Sequence, residues 1–257
     1  MADKTQQVYV IQGRGQRDYS DCQNVLARLP AQVTVLPFIA TEEEVIARTR
    51  DADALVVTSS PISRKVMSAL EDLKVVVRTG VGYDVIDIPA ATELGVVAVN
   101  IPDVWVREVA NHTMALLLAW NRKIITLDRN VHAGSWGAGI PGAWTGSVYG
   151  ETVGIVGLGN IGSAFARRVA AFEATVIAHD PYVDDAHFKA LGVERVSLET
   201  LAERADYVSV HTPLNAETRH LINEAFLRRM KPTAMLINTA RGPVVDEQAL
   251  VRRLKDG

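Results

Sequence analysis

A six-residue segment, Gly157-Leu158-Gly159-Asn160-Ile161-Gly162, carries the pattern G-x-G-x-x-G. It follows a short apolar run of strand type at residues 153–156 and precedes a helix that we predict over about 161–171. In this setting the first glycine permits a tight turn, the second lets the backbone approach a pyrophosphate, and the third lets the helix pack on the strand. The N-terminus of the helix then offers N–H groups to the phosphates. The segment therefore predicts a dinucleotide-binding site.

Asp180 stands 18 residues after Gly162, at the end of the next predicted strand. A carboxylate at this position accepts hydrogen bonds from the hydroxyls of an adenosine ribose and repels a 2′-phosphate. No arginine follows Asp180 directly in the sequence, so the spacing favours NAD over NADP. The alternative is a turn residue that precedes Pro181.

Three further segments follow predicted strands and point to the same crevice: residues 78–84, the segment His211-Thr212-Pro213-Leu214, and residues 238–250. Ligands of open α/β sheets bind beyond the carboxyl ends of the strands. The turn at 211–214, stiffened by its proline, is suited to line a nicotinamide ribose. An arginine at such a strand end, between flexible glycine turns, suits bidentate capture of a substrate carboxylate. The alternative is an arginine that is merely solvated.

These segments need a scaffold of alternating strands and helices. Short runs rich in valine and isoleucine recur along the chain, and they are continuous, as expected for strands covered on both faces. We predict strands at 8–11, 33–36, 54–57, 75–77, 153–156, 175–178, 207–210 and 234–237. Helical segments separate them, and parallel strands require such crossovers. The sequence predicts an α/β protein with two doubly wound series, in domains 1–102 and 103–257.

A long helix over about 105–128 joins the two predicted series, and a glycine-rich stretch follows it at 133–150. The helix is apolar on nearly every face, so we expect it to be buried on several sides, between the domains or in a subunit interface. The stretch after it contains the aromatic residues Trp136, Trp144 and Tyr149. Two interpretations stay open, a surface loop or an arm that docks these aromatics on a partner subunit.

The composition is that of a globular protein, with 48% hydrophobic and 22% charged residues, which excludes a disordered chain. The net charge of −3 gives no sign of a nucleic-acid-binding surface or a polybasic membrane patch. A single cysteine, Cys22, excludes an internal disulfide and a cysteine-rich zinc site, and the histidines lack metal-ligand spacing. The polar N-terminus is unlike a signal peptide, and no apolar run approaches the roughly 20 residues that span a bilayer. We expect a cytoplasmic protein without a metal site.

Together, the glycine-rich segment, the Asp180-Pro181 pair, the segment 211–214 and the string 238–250 resemble the D-isomer-specific 2-hydroxyacid dehydrogenases. The stretch 78–122 is most similar to the branch that contains the C-terminal binding protein corepressors, and the resemblance covers nearly the whole chain. It implies a Rossmann NAD-binding domain and a flavodoxin-like substrate domain. It also implies NAD as the cofactor, a small 2-oxo or 2-hydroxy acid as the substrate, and a homodimer built through the NAD domains.

The resemblance assigns roles to individual residues. Arg241 matches the arginine that orients the carboxylate and carbonyl of the substrate. Gly80, Val81 and Gly82 match the loop whose backbone N–H groups hold that carboxylate. Cofactor-lining positions of the family are matched by Thr113, His211, Thr212, Pro213, Thr218, Thr239, Ala240 and Arg241.

The sequence departs from the family pattern at its end. The family's catalytic histidine, and the glutamate that raises the pKa of that histidine, lie beyond the helix predicted over 246–255. The 257 residues end just after this helix, so the resemblance implies an incomplete version of the protein that lacks the family acid. His211 is the best-placed substitute, but a lining role suits it better. Three functions stay open: an NAD-dependent oxidoreductase, an NAD(H)-binding regulatory module of the corepressor kind without turnover, and an inactive pseudo-enzyme.

Overall fold

The computed structural model describes residues 5–15, 20–28, 30–136 and 146–255. The chain divides into two compact units, Met1–Val104 and Trp105–Gly257. Each unit contains a five-stranded sheet in which all pairs of neighbouring strands are parallel, and helices connect the strands. The predicted α/β class is therefore confirmed.

The first unit has the flavodoxin-like topology. Its strands are β1 Gln6–Ile11, β2 Ala31–Leu36, β3 Ala54–Val57, β4 Val75–Arg78 and β5 Val97–Val99. Its helices are α1 Ser20–Leu26, α2 Glu42–Arg48, α3 Arg64–Ala69 and α4 Ile88–Leu94. The strand order β2-β1-β3-β4-β5 is the flavodoxin-like order 2-1-3-4-5. Side chains such as Ile11, Leu55 and Val76 are fully buried between the sheet and its helices.

The second unit has the Rossmann topology. Its strands are β6 Thr152–Val156, β7 Thr175–His179, β8 Glu194–Arg195, β9 Tyr207–Val210 and β10 Met235–Asn238. Its helices are α5 Val106–Asn121, α6 Ile124–His132, α7 Asn160–Ala170, α8 Asp185–Leu191, α9 Leu198–Arg204, α10 Glu224–Arg229 and α11 Glu247–Lys255, with a 3₁₀ turn at Gly242–Val244. The order β10-β9-β6-β7-β8, read from β8, is the Rossmann order 3-2-1-4-5. The direction of winding reverses between β6 and β9, which is where this topology binds dinucleotides.

The long helix predicted over 105–128 is two helices. Lys123 has a φ of 54°, in the left-handed region, and separates α5 from α6. One face of α5 is buried within the unit, whereas Leu116 and Trp120 on the other side are exposed. The buried residues of α5 are Ala110, Thr113, Met114, Leu117 and Asn121. The expectation of a single helix is therefore wrong, because the helix breaks at Lys123. The core of the unit takes up one face of α5, and burial of its other face between the domains or in a subunit interface stays a prediction.

The strands β5 and β8 and the helix α8 are among the elements that were not predicted from the sequence. β5 consists of three exposed residues, and β8 consists of two charged residues at the sheet edge. Neither carries a buried apolar pattern, and α8 has only seven residues. Short edge elements like these form because a neighbouring strand supplies their hydrogen bonds.

The aromatic stretch at 133–150 lies partly outside the described residues, and Trp144 is among those not described. Trp136 and Tyr149 are both exposed. Within the described ranges, no helix combines the length and apolar character needed to cross a membrane.

Candidate cofactor and substrate site

The glycine-rich loop (residues 157–162) connects β6 to α7. Gly157 has a φ of 94°, and its N–H donates to the carbonyl of His179 at 2.9 Å. A Cβ on Gly162 would lie 2.1 Å from the carbonyl oxygen of Gly157, so the helix can start here only if residue 162 has no side chain. A Cβ on Gly159 would meet no described atom within 4 Å. The first and third glycines are thus required by the loop itself, whereas the second leaves open space beside the backbone.

Asp180 follows β7 and touches this loop directly. One carboxylate oxygen accepts a hydrogen bond from the N–H of Leu158 at 2.7 Å, and the other accepts one from the N–H of Tyr182 at 2.9 Å. The second bond belongs to a turn stabilised by the aspartate, as the alternative interpretation of this residue requires. The structure therefore brings Asp180 to the loop, and the turn and a ribose contact are compatible at this position.

We expect the substitution Asp180→Ala to weaken NAD binding by about 1–3 kcal/mol, because charged hydrogen bonds to the ribose would be lost. The measurement is calorimetric titration of the chain with NAD. Asp184→Ala is a matched control, since Asp184 also accepts a backbone hydrogen bond, from His187 at the start of α8. The control should lose stability and keep its NAD affinity. An unchanged affinity in Asp180→Ala would contradict the assignment of Asp180 to the ribose.

The segment after β9 lies against the glycine-rich loop. A Cβ on Gly157 would lie 3.0 Å from the backbone nitrogen of Thr212, so the two segments are in close contact. The hydroxyl of Thr218 donates to the carbonyl of Pro213 at 2.6 Å and holds this turn closed. The buried hydroxyl of Thr212 has no hydrogen-bond partner among the described residues. A buried polar atom of this kind calls for a ligand or a water molecule.

His211 is held in its neutral form. Its ring lies 5.5 Å from that of Phe165, its Nε2 is 2.9 Å from the hydroxyl of Ser209, and its buried Nδ1 has no partner among the described residues. Burial lowers the pKa of His211 to about 4. The histidine is therefore uncharged near neutral pH, which suits a lining role and excludes it as the general acid there.

The low pKa of His211 makes stability depend on pH. An unfolded histidine binds a proton below about pH 6.5, whereas the folded His211 does so only below about pH 4. Between these values the unfolded state holds more protons, so stability falls as the pH falls. We expect wild type to lose about 3 kcal/mol more than His211→Gln between pH 7 and pH 4. Urea denaturation at both pH values measures the difference, and equal losses in the two chains would contradict it.

The end of β10 carries the predicted residues Thr239, Ala240 and Arg241. The hydroxyls of Thr239 and Thr113 are 2.9 Å apart, which joins this strand end to α5 across 126 positions of sequence. A guanidinium nitrogen of Arg241 donates to the carbonyl of Ala240 at 2.9 Å, and the side chain of Asn238 donates to the carbonyl of Arg241 at 2.9 Å. The side chains of Asn238 and Arg241 thus both hydrogen-bond to backbone carbonyls at the end of this strand.

The predicted residues of the second unit thus lie at the end of its sheet where the carboxyl termini of the strands meet. The glycine-rich loop, Asp180, His211 and Arg241 follow β6, β7, β9 and β10, four neighbouring parallel strands whose carboxyl ends lie together. Sequence reasoning missed Ser163, whose hydroxyl donates to the carbonyl of Leu158 at 2.8 Å and lies 2.8 Å from Nε2 of His187. Its position directly after the third glycine was the available signal.

The loop predicted to hold a substrate carboxylate lies in the first unit, after β4. A Cβ on Gly80 would lie 1.5 Å from a guanidinium nitrogen of Arg78, so a larger residue here would require the Arg78 side chain to move. The carbonyl of Gly80 accepts from the N–H of Ile101 at 3.1 Å, and that of Val81 accepts from the side chain of Asn100 at 2.7 Å. Two peptide groups of the loop are thereby fixed, and Asn100 is a positioning residue that sequence reasoning missed.

Within the described part of the chain, no group of three or more histidine, cysteine, aspartate or glutamate side chains is arranged to hold a metal ion. The candidate site of the second unit offers backbone N–H groups, hydroxyls, one carboxylate and one guanidinium. Such a set suits a dinucleotide and a small anionic substrate.

A Rossmann sheet with a glycine-rich loop after its first strand and a carboxylate after its second defines a dinucleotide-binding protein. Residues 114–257 match the family model of the D-isomer specific 2-hydroxyacid dehydrogenase, NAD binding domain. The chain belongs to this family, and its cofactor is NAD.

Known relatives agree with this assignment. The chain is 44% identical over 220 residues to a glyoxylate reductase of Korarchaeum cryptofilum and 42% identical over 217 residues to a D-3-phosphoglycerate dehydrogenase of Mycobacterium tuberculosis. Each alignment covers 84% of this chain, and they span 66% and 40% of the two relatives. A D-lactate dehydrogenase from Aquifex aeolicus, solved with NAD and lactic acid, matches with a TM-score of 0.84 at 28% identity, covering 97% of this chain and 74% of that one.

Proposed function

We propose that this protein is an NAD-dependent oxidoreductase that moves a hydride between nicotinamide and C2 of a small D-2-hydroxy acid or the corresponding 2-oxo acid. The observation that carries the proposal is the placement of the glycine-rich loop, Asp180 and Arg241 along one edge of a Rossmann sheet. The names of the relatives support the same reaction class.

The residues present fit NAD. The open space at Gly159 allows a pyrophosphate to approach the start of α7, where backbone N–H groups and the helix dipole favour an anion. We assign Asp180 to the adenosine ribose, where its carboxylate would accept hydrogen bonds from the hydroxyls. The buried hydroxyl of Thr212 provides a polar group that a ligand can satisfy. When bound, the nicotinamide supplies or accepts the hydride.

The residues that we assign to the substrate orient its carboxylate and carbonyl groups. In the second unit, we assign the carboxylate of the substrate to the guanidinium of Arg241, which suits bidentate binding. In the first unit, the backbone N–H groups of Val81 and Gly82 are our proposed carboxylate-binding groups. Arg241 also polarises the carbonyl that receives the hydride. Because His211 is neutral near pH 7, the proton for the resulting alkoxide comes from another group.

The test is to mix the natural gene product with NADH and a panel of 2-oxo acids that includes glyoxylate and pyruvate, and to follow NADH absorbance. Loss of absorbance with one or more acids supports the proposal. Measurable NADH binding without turnover would favour a regulatory module or an inactive pseudo-enzyme instead. The 257 residues have a mass of 28.0 kDa, so the mass of the natural product tells whether it contains further residues.

We also propose that the protein is cytoplasmic and binds neither nucleic acid nor membranes. We further propose that it is a homodimer and that its NAD units form the dimer. Support comes from the exposed apolar side chains Trp120, Ile124, Ile125, Val131 and Trp136 on and after α5 and α6. Such a concentration of exposed apolar residues is typical of a surface that another subunit covers in the assembled protein. Sedimentation velocity tests the proposal, and a monomer across the accessible concentration range would contradict it.

A further inference from the structure

An arginine that is distant in sequence lies beside Asp180. Arg195 belongs to β8, which pairs with β7 so that Arg195 is opposite Ala178. One of its guanidinium nitrogens donates to the backbone carbonyl of Asp180 at 3.1 Å, and the other donates to the carboxylate of Asp185 at 2.5 Å. The guanidinium also lies 5.1 Å from the centre of the Phe188 ring. Arg195 is therefore held from three sides next to the predicted ribose contact.

The two groups have opposite preferences for the 2′ position of the adenosine ribose. The carboxylate of Asp180 suits two hydroxyls and repels a phosphate, whereas a guanidinium binds phosphate through paired hydrogen bonds. The ion pair of Arg195 with Asp185 is solvent-exposed, with 40% and 86% of the two side chains accessible. Exposed ion pairs of this kind contribute little, so the guanidinium can exchange Asp185 for another anion.

We propose that Arg195 is a second determinant of cofactor choice, a latent contact for the 2′-phosphate of NADP that the charge of Asp180 keeps from being used. This inference rests on the proposed assignment of Asp180 to the ribose. It extends that assignment, since it predicts that removing the Asp180 charge produces NADP binding through a residue already in place.

The experiment compares the affinities of five chains for NAD and NADP by calorimetry. They are wild type, Asp180→Ser, and Asp180→Ser combined in turn with Arg195→Gln, Arg195→Lys and Arg204→Gln. Serine is chosen because it removes the charge while its hydroxyl can still accept one of the two backbone hydrogen bonds that Asp180 accepts. Arg204 is a matched control, since it pairs with Glu194 of β8 at 2.6 Å and its substitution removes the same charge.

We expect Asp180→Ser to gain at least about tenfold in NADP affinity, the effect of one charged hydrogen bond gained and one repulsion lost. Arg195→Gln in that background should remove about tenfold of the gain and change NAD affinity less than about threefold, whereas Arg204→Gln should leave both affinities unchanged. Arg195→Lys in the same background should keep most of the gain, because it keeps the charge.

Other outcomes would overturn the inference. If Asp180→Ser does not gain NADP affinity, or if the gain survives Arg195→Gln, then Arg195 does not contact the phosphate. If Arg195→Gln and Arg204→Gln lower NADP affinity equally, the effect comes from net charge alone, and the inference is overturned as well. Failure of wild type to bind NAD would overturn the proposed function itself, so the two failures are distinguishable. All four tryptophans lie in the second unit, so their fluorescence on heating checks that each variant is folded.

Discussion

We expect the substitution Gly162→Ala to lower the free energy of unfolding of the second unit by about 3 kcal/mol and to abolish measurable NAD binding. The added Cβ would lie 2.1 Å from the carbonyl oxygen of Gly157, which belongs to the backbone and cannot rotate away as a side chain would. Relief requires that α7 move from β6, and that movement displaces the N–H groups that face a phosphate. Urea denaturation followed by tryptophan fluorescence reports on the second unit alone.

Gly159→Ala is the matched control for this prediction. It adds the same methyl group to the same loop, but no described atom lies within 4 Å of the new Cβ, and the φ of −70° suits alanine. The stability of this variant should stay within about 1 kcal/mol of wild type, since Gly159 caps α7 and alanine is a weaker cap. NAD affinity should fall by about tenfold, because the methyl group occupies the space beside the backbone. Equal stability of the two variants would contradict the role of Gly162.

The second large effect concerns Arg241. In the natural gene product, we expect Arg241→Gln to lower kcat/KM for a 2-oxo acid by about 10²–10³, because the guanidinium is assigned to both the carboxylate and the carbonyl oxygen on which charge develops. The NADH dissociation constant, measured separately by calorimetry, should change by less than about threefold. A lower kcat/KM with an unchanged NADH dissociation constant would show that Arg241 acts on the substrate, in agreement with the proposed role.

Arg229→Gln is the control for Arg241. It removes one arginine from an exposed ion pair with Glu203 on the same unit, at a position assigned to neither ligand. Its kcat/KM should equal that of wild type. If Arg241→Gln keeps full activity, the assignment of the substrate carboxylate to Arg241 is wrong. If Arg241→Gln instead loses NADH binding by the same factor as kcat/KM, Arg241 acts on the cofactor alone.

The sequence by itself was sufficient for the features that depend on local pattern. Continuous runs of valine and isoleucine predicted eight of the strands, because parallel strands are buried on both faces. The glycine-rich loop and Asp180 could be predicted because the turn after β6 requires φ above zero and because one βαβ unit has a nearly constant length. The edge strands β5 and β8 escaped prediction because their residues are exposed.

The tertiary structure decided which distant residues share a site. Strand pairing between β7 and β8 places Arg195 beside Asp180, and packing of α5 on the sheet brings Thr113 to Thr239. Burial among neighbouring side chains keeps His211 neutral. None of these could be read from spacing, because hydrogen bonding and desolvation depend on groups that only the folded backbone brings together.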